Sequence, residues 1–176
     1  ITGEALEKLL LLFAGAKEAI ARNAHRYDPA LLTALIDLPP LDVVQLQAEG
    51  DVHPTLDALQ AVLNRGTLGT ARYHLRFDPA TDSAAASLVS VRKHMGEEFT
   101  QVLPMGAFES GELRPLREVA LALHGLVREG AHILRGNKSH PITSFAQAQA
   151  WLLEEAKRGR QVQRFKGLGE MNAEQL

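Results

Sequence analysis

Cysteine is absent from this 176-residue chain, and aromatic residues make up only 5% of it. Without cysteine there is no disulfide, no thiolate chemistry and no cysteine-ligated zinc, which fits a reducing cytosol and leads us to expect a cytoplasmic location. The shortage of aromatic residues predicts a core built from Leu, Ala, Val and Ile. Long apolar runs are also missing. The longest, LLLLFAGA from Leu9, is far short of the roughly 20 residues that span a bilayer, so we expect no membrane segment.

The sequence also has no overall excess of basic residues. Lys and Arg number 19 against 21 Asp and Glu, a net charge of −2, which argues against a protein that binds nucleic acid over its whole surface. Five basic residues nevertheless fall between Lys157 and Lys166, and no acid interrupts the sequence from Ala156 to Gly169. Without these five, 14 basic and 21 acidic residues remain, a charge of −7. The distribution therefore predicts a local patch, which we name the terminal basic segment (residues 157–166).

The first third of the chain predicts four helices. The longest runs from Gly3 to about Arg26, with apolar residues at helical spacing, Thr2 as its expected cap and Glu4 four residues before Lys8. Proline and glycine signals bound three shorter helices, at 29–36, 43–48 and 54–64.

The pattern then changes to strands. In TARYHLRF basic and apolar residues alternate with the period of two that is typical of a half-buried strand, and ASLVSVRKH and EEFTQVLP predict a second and a third strand. The basic positions form one candidate face, to which the second strand adds Arg92 or Lys93. Its members are Arg72, His74, Arg76 and Arg92. Such a face either keeps an edge strand soluble or contacts phosphates or an acidic partner.

The last third mixes helix and strand. Ser110 is the expected cap of a helix that contains Leu113, Leu116, Val119, Ala120 and Leu123. AHIL predicts a strand, and RGNKSHPIT predicts a loop. Ser144 with Gln147 forms a capping-box pattern for a helix that ends near residue 159, in which Glu154 stands four before Arg158. QVQRF then predicts a short strand and KGLGE a loop. This order predicts an α+β fold, with mixed helices and a small antiparallel sheet or hairpin followed by a short strand and loop.

No catalytic or metal-binding constellation can be assembled from the sequence. The seven histidines are scattered, with no His-x-x-x-His pair on one helix face. There is no Gly-x-Ser-x-Gly nucleophile elbow and no phosphate loop ending in Gly-Lys-Ser/Thr. We therefore predict no catalytic residue, no metal ligand and no cofactor site in this chain.

The loop in FKGLGE leaves two interpretations open. Gly167 and Gly169 permit backbone conformations closed to other residues, so amides can turn toward an anion while Arg164 and Lys166 supply positive charge. The same glycines also suit an ordinary tight turn between a strand and a helix.

The segment QRFKGLGEMNAEQL, residues 163–176, resembles a signature of the B subunits of bacterial type IIA topoisomerases, where it lies in the C-terminal part of the metal-binding Toprim domain. ITGEALEKL and RYDPALLTALIDLP resemble the insertion that interrupts the Toprim domain of DNA gyrase B subunits from many Gram-negative bacteria. The resemblance implies an insertion domain at 1–159 and a C-terminal Toprim segment at 160–176. The chain also lacks an initiator Met, and we expect it to be a piece of a larger protein.

The resemblance implies a supporting role in ATP-dependent negative supercoiling, in which this chain aids DNA binding and the coupling of ATP hydrolysis to strand passage. The parent enzyme uses Mg²⁺ and ATP, but the motifs that hold them are absent here, so the chain alone is expected to be inactive. The implied partners are the A subunit of DNA gyrase, double-stranded DNA and other domains of the B subunit, with no membrane. The candidate DNA-binding residues are Arg164, Lys166, Gly167, Gly169, Arg160 and Arg158.

Two other functions stay open on the residues alone. A stand-alone protein-interaction module would use the glycine loop only as a turn. A small phosphoryl-binding enzyme would use it to hold phosphate, although no catalytic constellation accompanies it. Glu-Gly-Asp-Ser and Asp-x-Asp motifs upstream in the reading frame would support the gyrase interpretation, and their absence would exclude it.

Overall fold

The computed structural model describes residues 1–38, 40–49, 53–66, 71–109 and 111–158. Within these ranges it confirms the α+β class, with six α-helices, a three-stranded antiparallel sheet and a two-stranded hairpin. The chain divides into two compact units, Ile1–Arg128 and Glu129–Leu176. The predicted boundary after residue 159 is a different one. It lies outside the described residues and stays a prediction.

Five α-helices belong to the first unit. They are α1 (Gly3–Asn23), α2 (Pro29–Asp37), α3 (Val43–Glu49), α4 (Pro54–Gly66) and α5 (Arg114–Leu123). Helices α1, α2 and α5 pack against one another, and α4 packs against α2 and the first strand. As the composition predicts, the helical core is aliphatic. Its most deeply buried members are Leu31, Leu32, Leu46, Leu59, Leu113, Leu116 and Val119.

Two predicted helix starts need correction. Thr2 occupies the N-cap position of α1, but its side chain makes no capping hydrogen bond. Gly3 follows with a φ of +55°, outside the helical region, so the first turn lacks the geometry that such a bond requires. Helix α5 begins only at Arg114, with Leu113 at the capping position. Ser110, the expected cap, lies outside the described residues.

The sheet of the first unit is a simple meander. Strands β1 (Ala71–Asp78), β2 (Ser87–His94) and β3 (Glu97–Pro104) pair antiparallel in the order β1-β2-β3. Buried and exposed positions alternate along β1, which confirms the period-two prediction. Met95 and Gly96 join β2 to β3 with φ values of 51° and 87°, as a two-residue hairpin turn with two positive φ values requires.

Helix α4 covers the edge of β1 that does not pair with β2. The backbone N–H of Tyr73 donates to Asn64 Oδ1 at 2.8 Å, and Asn64 Nδ2 donates back to the carbonyl of Tyr73 at 3.1 Å. The N–H of Leu75 donates to Gln60 Oε1 at 2.9 Å. Amide side chains thus take the place of a neighbouring strand and satisfy backbone groups that an edge would leave unpaired.

The second unit is a hairpin with a helix. Strands β4 (His132–Arg135) and β5 (Lys138–Pro141) are followed by α6 (Phe145–Arg158). The predicted loop RGNKSHPIT is wrong in part, because it contains β5. The capping-box prediction is confirmed in its first half, since the N–H of Gln147 donates to Ser144 Oγ at 3.3 Å. In the returning bond Gln147 Oε1 accepts from the N–H of Thr143 at 2.9 Å, one residue before the predicted donor. Among the helices of the described ranges there is no candidate for a membrane span.

Candidate functional site

The predicted basic face lies on the side of the sheet that points away from the core. Arg72, His74 and Arg76 occupy the exposed positions of β1. The register pairs Arg72 with Lys93 of β2, and directly opposed residues of antiparallel strands share a face. Lys93 is therefore the β2 cation on this surface, which we name the outer face (Arg72, His74, Arg76 and Lys93).

Carboxylates compensate part of the outer-face charge. Arg76 Nε lies 2.6 Å from Asp78 Oδ1, and this hydrogen bond is the main reason that the pKa of Asp78 is lowered and that of Arg76 is raised. Lys93 Nζ lies 2.5 Å from Glu98 Oε1. The face is therefore only weakly positive, which favours a solvated surface of the sheet over a strong phosphate contact.

Arg92 does not belong to this face, contrary to the sequence prediction. The register pairs it with the buried Tyr73, so its side chain starts from the opposite side of the sheet. There its guanidinium lies over the ring of Phe99, 5.1 Å from the centroid, and its Nη1 lies 3.7 Å from Asp28 Oδ2. The alternation of residues could not choose between Arg92 and Lys93, because the choice depends on the register of the hairpin.

Asp28 is the centre of the cluster that receives Arg92. Its Oδ1 accepts the N–H of Ala30 at 2.9 Å and so caps α2, while its Oδ2 accepts the hydroxyl of Tyr73 at 2.8 Å. Gln101 Oε1 accepts the backbone N–H of Asp28 at 2.8 Å. We name Asp28, Tyr73, Arg92 and Gln101 the Asp28 cluster. It lies at a groove of about 200 Å³.

The titration of Tyr73 reflects this setting. Burial, the hydrogen bond to Asp28 and the charge of Asp28 raise the pKa of Tyr73 to about 12, and the opposing effect of Arg92 is smaller. A phenol with such a pKa stays neutral at physiological pH. Because carboxylate and phenol satisfy each other, the cluster fastens α2 to the sheet and offers no free acid or base.

A second charged cluster lies in the second unit. Glu155 of α6 is only 6% exposed; its Oε2 accepts a hydrogen bond from Lys138 Nζ, and its Oε1 accepts one from Arg158 Nη1 at 2.8 Å. The hydrogen bond from Lys138 is the largest cause of a lowered pKa at Glu155, and the charges of Lys138, Arg158 and Arg135 lower it further against the effect of burial. The predicted pairing of Arg158 with Glu154 is wrong, because Glu154 pairs with Lys157 instead.

The terminal basic segment is described only at its start. Arg158 pairs with Glu155, and its side chain is still 70% exposed. Arg160, Arg164, Lys166, Gly167 and Gly169 lie outside the described residues, and their role in DNA binding stays a prediction. No group of three or more His, Cys, Asp or Glu residues in the described ranges is arranged to hold a metal ion.

Sequence reasoning missed the Asp28 cluster and the cations around Glu155. Asp28 precedes Pro29, a typical helix start, so its capping role was accessible from the sequence. The hydrogen bond between Asp28 and Tyr73 could not be predicted from the sequence, since 45 residues separate the two. Lys138 and Arg135 could not be placed beside Glu155 before β5 was known.

Comparison with known families identifies the chain. The family described as DNA gyrase B subunit insert domain matches residues 1–156, which include all the strands of the described part and its helices up to the last turn of α6. The match agrees with the resemblance of ITGEALEKL and RYDPALLTALIDLP. It does not extend to residues 163–176, whose assignment to a Toprim domain stays a prediction. The chain belongs to the DNA gyrase B subunit insert domain family.

Proposed function

We propose that this chain is a non-catalytic part of the B subunit of a DNA gyrase, and that it supports DNA binding and the coupling of ATP hydrolysis to strand passage in negative supercoiling. The observation that carries the proposal is the insert-domain match over residues 1–156, which the terminal basic segment follows directly. DNA gyrase is a type II topoisomerase. In this proposal its Mg²⁺ and ATP bind elsewhere in the enzyme.

The charge distribution supports a division of labour along the chain. Residues 1–128 contain 12 basic and 16 acidic residues, whereas residues 129–176 contain 7 basic and 5 acidic ones. An acidic body with a compensated outer face suits the bracing of other protein domains, namely those of the A subunit or the rest of the B subunit. A basic C-terminal part suits the phosphate backbone of double-stranded DNA.

The residues that we assign to DNA are those of the proposed Toprim segment, 160–176. Arg164 and Lys166 are the proposed phosphate contacts, because cationic side chains position a duplex without reading its sequence. Gly167 and Gly169 would let the backbone approach the duplex. The insert-domain match over residues 1–156 favours a part of a gyrase B subunit over a stand-alone interaction module, and the role of residues 160–176 rests on their charge and their sequence signature.

The test uses Arg164→Ala together with Lys166→Ala in a gyrase holoenzyme whose B subunit carries this sequence. We expect weaker DNA binding and a shallower dependence of log Kd on log salt, by about 0.9 for each phosphate that is no longer neutralised. Lys8→Ala with Arg22→Ala, two exposed cations of α1, removes the same charge as a control. An unchanged slope in the first variant would contradict the proposed contact.

The chain alone should lack the enzyme's activities. We expect the purified 176-residue chain neither to hydrolyse ATP nor to relax supercoiled DNA. Turnover that co-purifies with the chain and reaches one active site per molecule would overturn the non-catalytic assignment.

A further inference from the structure

The hairpin of the second unit brings two cations together at its closed end. Arg135 and Lys138 are directly opposed in the register, on either side of a turn in which Gly136 has a φ of +57°. Like charges in this arrangement repel each other. Ile133 shares their face and is buried, and His140, its partner in the register, stacks on Trp151 of α6 at 5.9 Å. The face that bears the two cations is therefore the one turned toward α6.

Helix α6 supplies the compensating charge and a third cation. Glu155 takes a hydrogen bond from Lys138 and another from Arg158, which is in the last turn of the helix. The charge of Arg135 also acts on this carboxylate. One carboxylate thus faces three cations, which leaves a local excess of two positive charges. We name these residues the Glu155 cluster (Arg135, Lys138, Glu155 and Arg158).

The cations of the Glu155 cluster retain donors that face solvent. Lysine has three N–H donors and arginine five, and Lys138 and Arg158 each spend one of them on Glu155. Their side chains are 58% and 70% exposed, whereas that of Glu155 is 6% exposed. The carboxylate is covered and the cations are accessible, so an anion that approaches from solvent meets positive charge first.

We propose that Arg135, Lys138 and Arg158 bind phosphates of the double-stranded DNA backbone, at a site that is held together by Glu155. This inference rests on the proposed function. It adds a site whose residues precede, in the sequence, the predicted contacts at Arg164 and Lys166. An extended polyanion is the fitting ligand because the sequence continues from Arg158 without an acid until Glu170. Successive cations along a chain match the dense charge of a duplex, about one negative charge per 1.7 Å of helix axis.

The central variant is Arg135→Gln with Arg158→Gln, tested in the gyrase holoenzyme. It preserves the Lys138 bond that fastens the hairpin to α6. We expect the salt slope of DNA binding to fall by about 1.8 and the affinity to fall roughly 60-fold at 0.1 M salt, since two phosphates are no longer neutralised. Arg135→Lys with Arg158→Lys keeps both charges and should keep the slope.

The matched control is Arg22→Gln with Arg114→Gln. Both arginines form exposed pairs four residues away from their acids on helices of the first unit, so the control removes the same charge without touching the cluster. We expect the slope of this control to stay unchanged. An equal decrease in the control and in the central variant would overturn the site, because it would show a general charge effect.

Two further results separate this inference from the proposed function. An unchanged slope in the central variant, with a decreased slope for Arg164→Ala with Lys166→Ala, overturns the cluster and leaves the proposed function standing. Unchanged slopes in both overturn the two together. Weaker assembly with the A subunit, at unchanged DNA affinity, would assign the cluster to a protein partner and also overturn the inference.

Folding of the central variant is checked by the emission of Trp151, the single tryptophan of the chain, which lies in the same unit. The check uses the 176-residue chain, so that no other tryptophan contributes. If the emission changes, DNA binding is measured for the single variant Arg135→Gln instead. This variant keeps the described hydrogen bonds to Glu155, which come from Lys138 and Arg158. A decrease in slope of about 0.9 is then expected. An unchanged slope overturns the proposal.

Discussion

Asp28 ties the start of α2 to the sheet, and we expect Asp28→Ala to lower the free energy of unfolding by about 3 kcal/mol. Loss of the α2 cap costs about 1 kcal/mol. The hydroxyl of Tyr73, a residue only 5% exposed, loses its acceptor, which costs about 2 kcal/mol more. The pair with Arg92 adds little, because it spans 3.7 Å and the Arg92 side chain is 39% exposed.

Urea unfolding of the 176-residue chain, followed by circular dichroism, measures this loss. Asp28→Asn is the matched control, since its amide oxygen can cap α2 and accept from Tyr73, and it should cost about 1 kcal/mol or less. Tyr73→Phe removes the hydroxyl itself. In that background Asp28→Ala should cost only about 1 kcal/mol, the share of the cap.

Two results would refute this reasoning. One is a loss below about 1 kcal/mol for Asp28→Ala, which would mean that neither bond stabilises the fold. The other is an equal loss with and without the Tyr73 hydroxyl, which would show that the two groups act independently.

Three further predictions concern Tyr73, Asn64 and Glu155. In a Tyr27→Phe background, phenolate absorbance should report a pKa of about 12 for Tyr73, so that its contribution to stability is complete below pH 10, the ordinary value, and is lost as the pH rises through 12; a midpoint near 10 would contradict the burial argument. Asn64→Ala should cost about 2 kcal/mol in urea unfolding, because two backbone groups at the edge of β1 lose their partners, and Asn64→Asp, which keeps the acceptor, should cost less. Since the pKa of Glu155 is lowered from 4.5, its contribution should be complete above that pH and be lost as the pH falls through the lowered value. We follow this loss by the emission of Trp151 as the pH falls, and Glu155→Gln should remove the part of the change that depends on Glu155. An identical acid profile in both proteins would contradict this prediction.

Local patterns predicted most of the secondary structure of the first unit. Alternation placed β1, and proline and glycine signals placed the short helices, because these features depend on neighbours within a few residues. The side of the sheet occupied by Arg92 depends on the register, and a shift of one residue moves every side chain to the other face. That is why Lys93, and not Arg92, belongs to the outer face.

The second unit shows a different limit of sequence reasoning. Strand β5 is KSHP, four exposed residues with a terminal proline, and no apolar alternation marks it. The register of β5 places Lys138 beside the carboxylate of Glu155. Arg158 also pairs with Glu155, and not with the expected Glu154. Contacts across such a strand are tertiary, so Lys138 and Arg135 could not be placed beside Glu155 from spacing along the helix, whereas Arg158 stands three residues after Glu155 on the same helix.

The sequence predicted the family and part of the outer face, but not the charges that compensate that face. Resemblance to the insertion of DNA gyrase B subunits identified the family, which the match over residues 1–156 confirms. The assignment of Arg164 and Lys166 to DNA is a prediction from a sequence signature and from charge. The outer face was found by alternation, but its compensation by Asp78 and Glu98 required the structure.

The most direct test of the central claim is the ATPase rate of the assembled gyrase, with and without DNA, before and after removal of residues 3–159. If these residues couple DNA engagement to ATP hydrolysis, the rate without DNA stays the same and the stimulation by DNA falls. Full stimulation by DNA in the shortened enzyme would contradict the account.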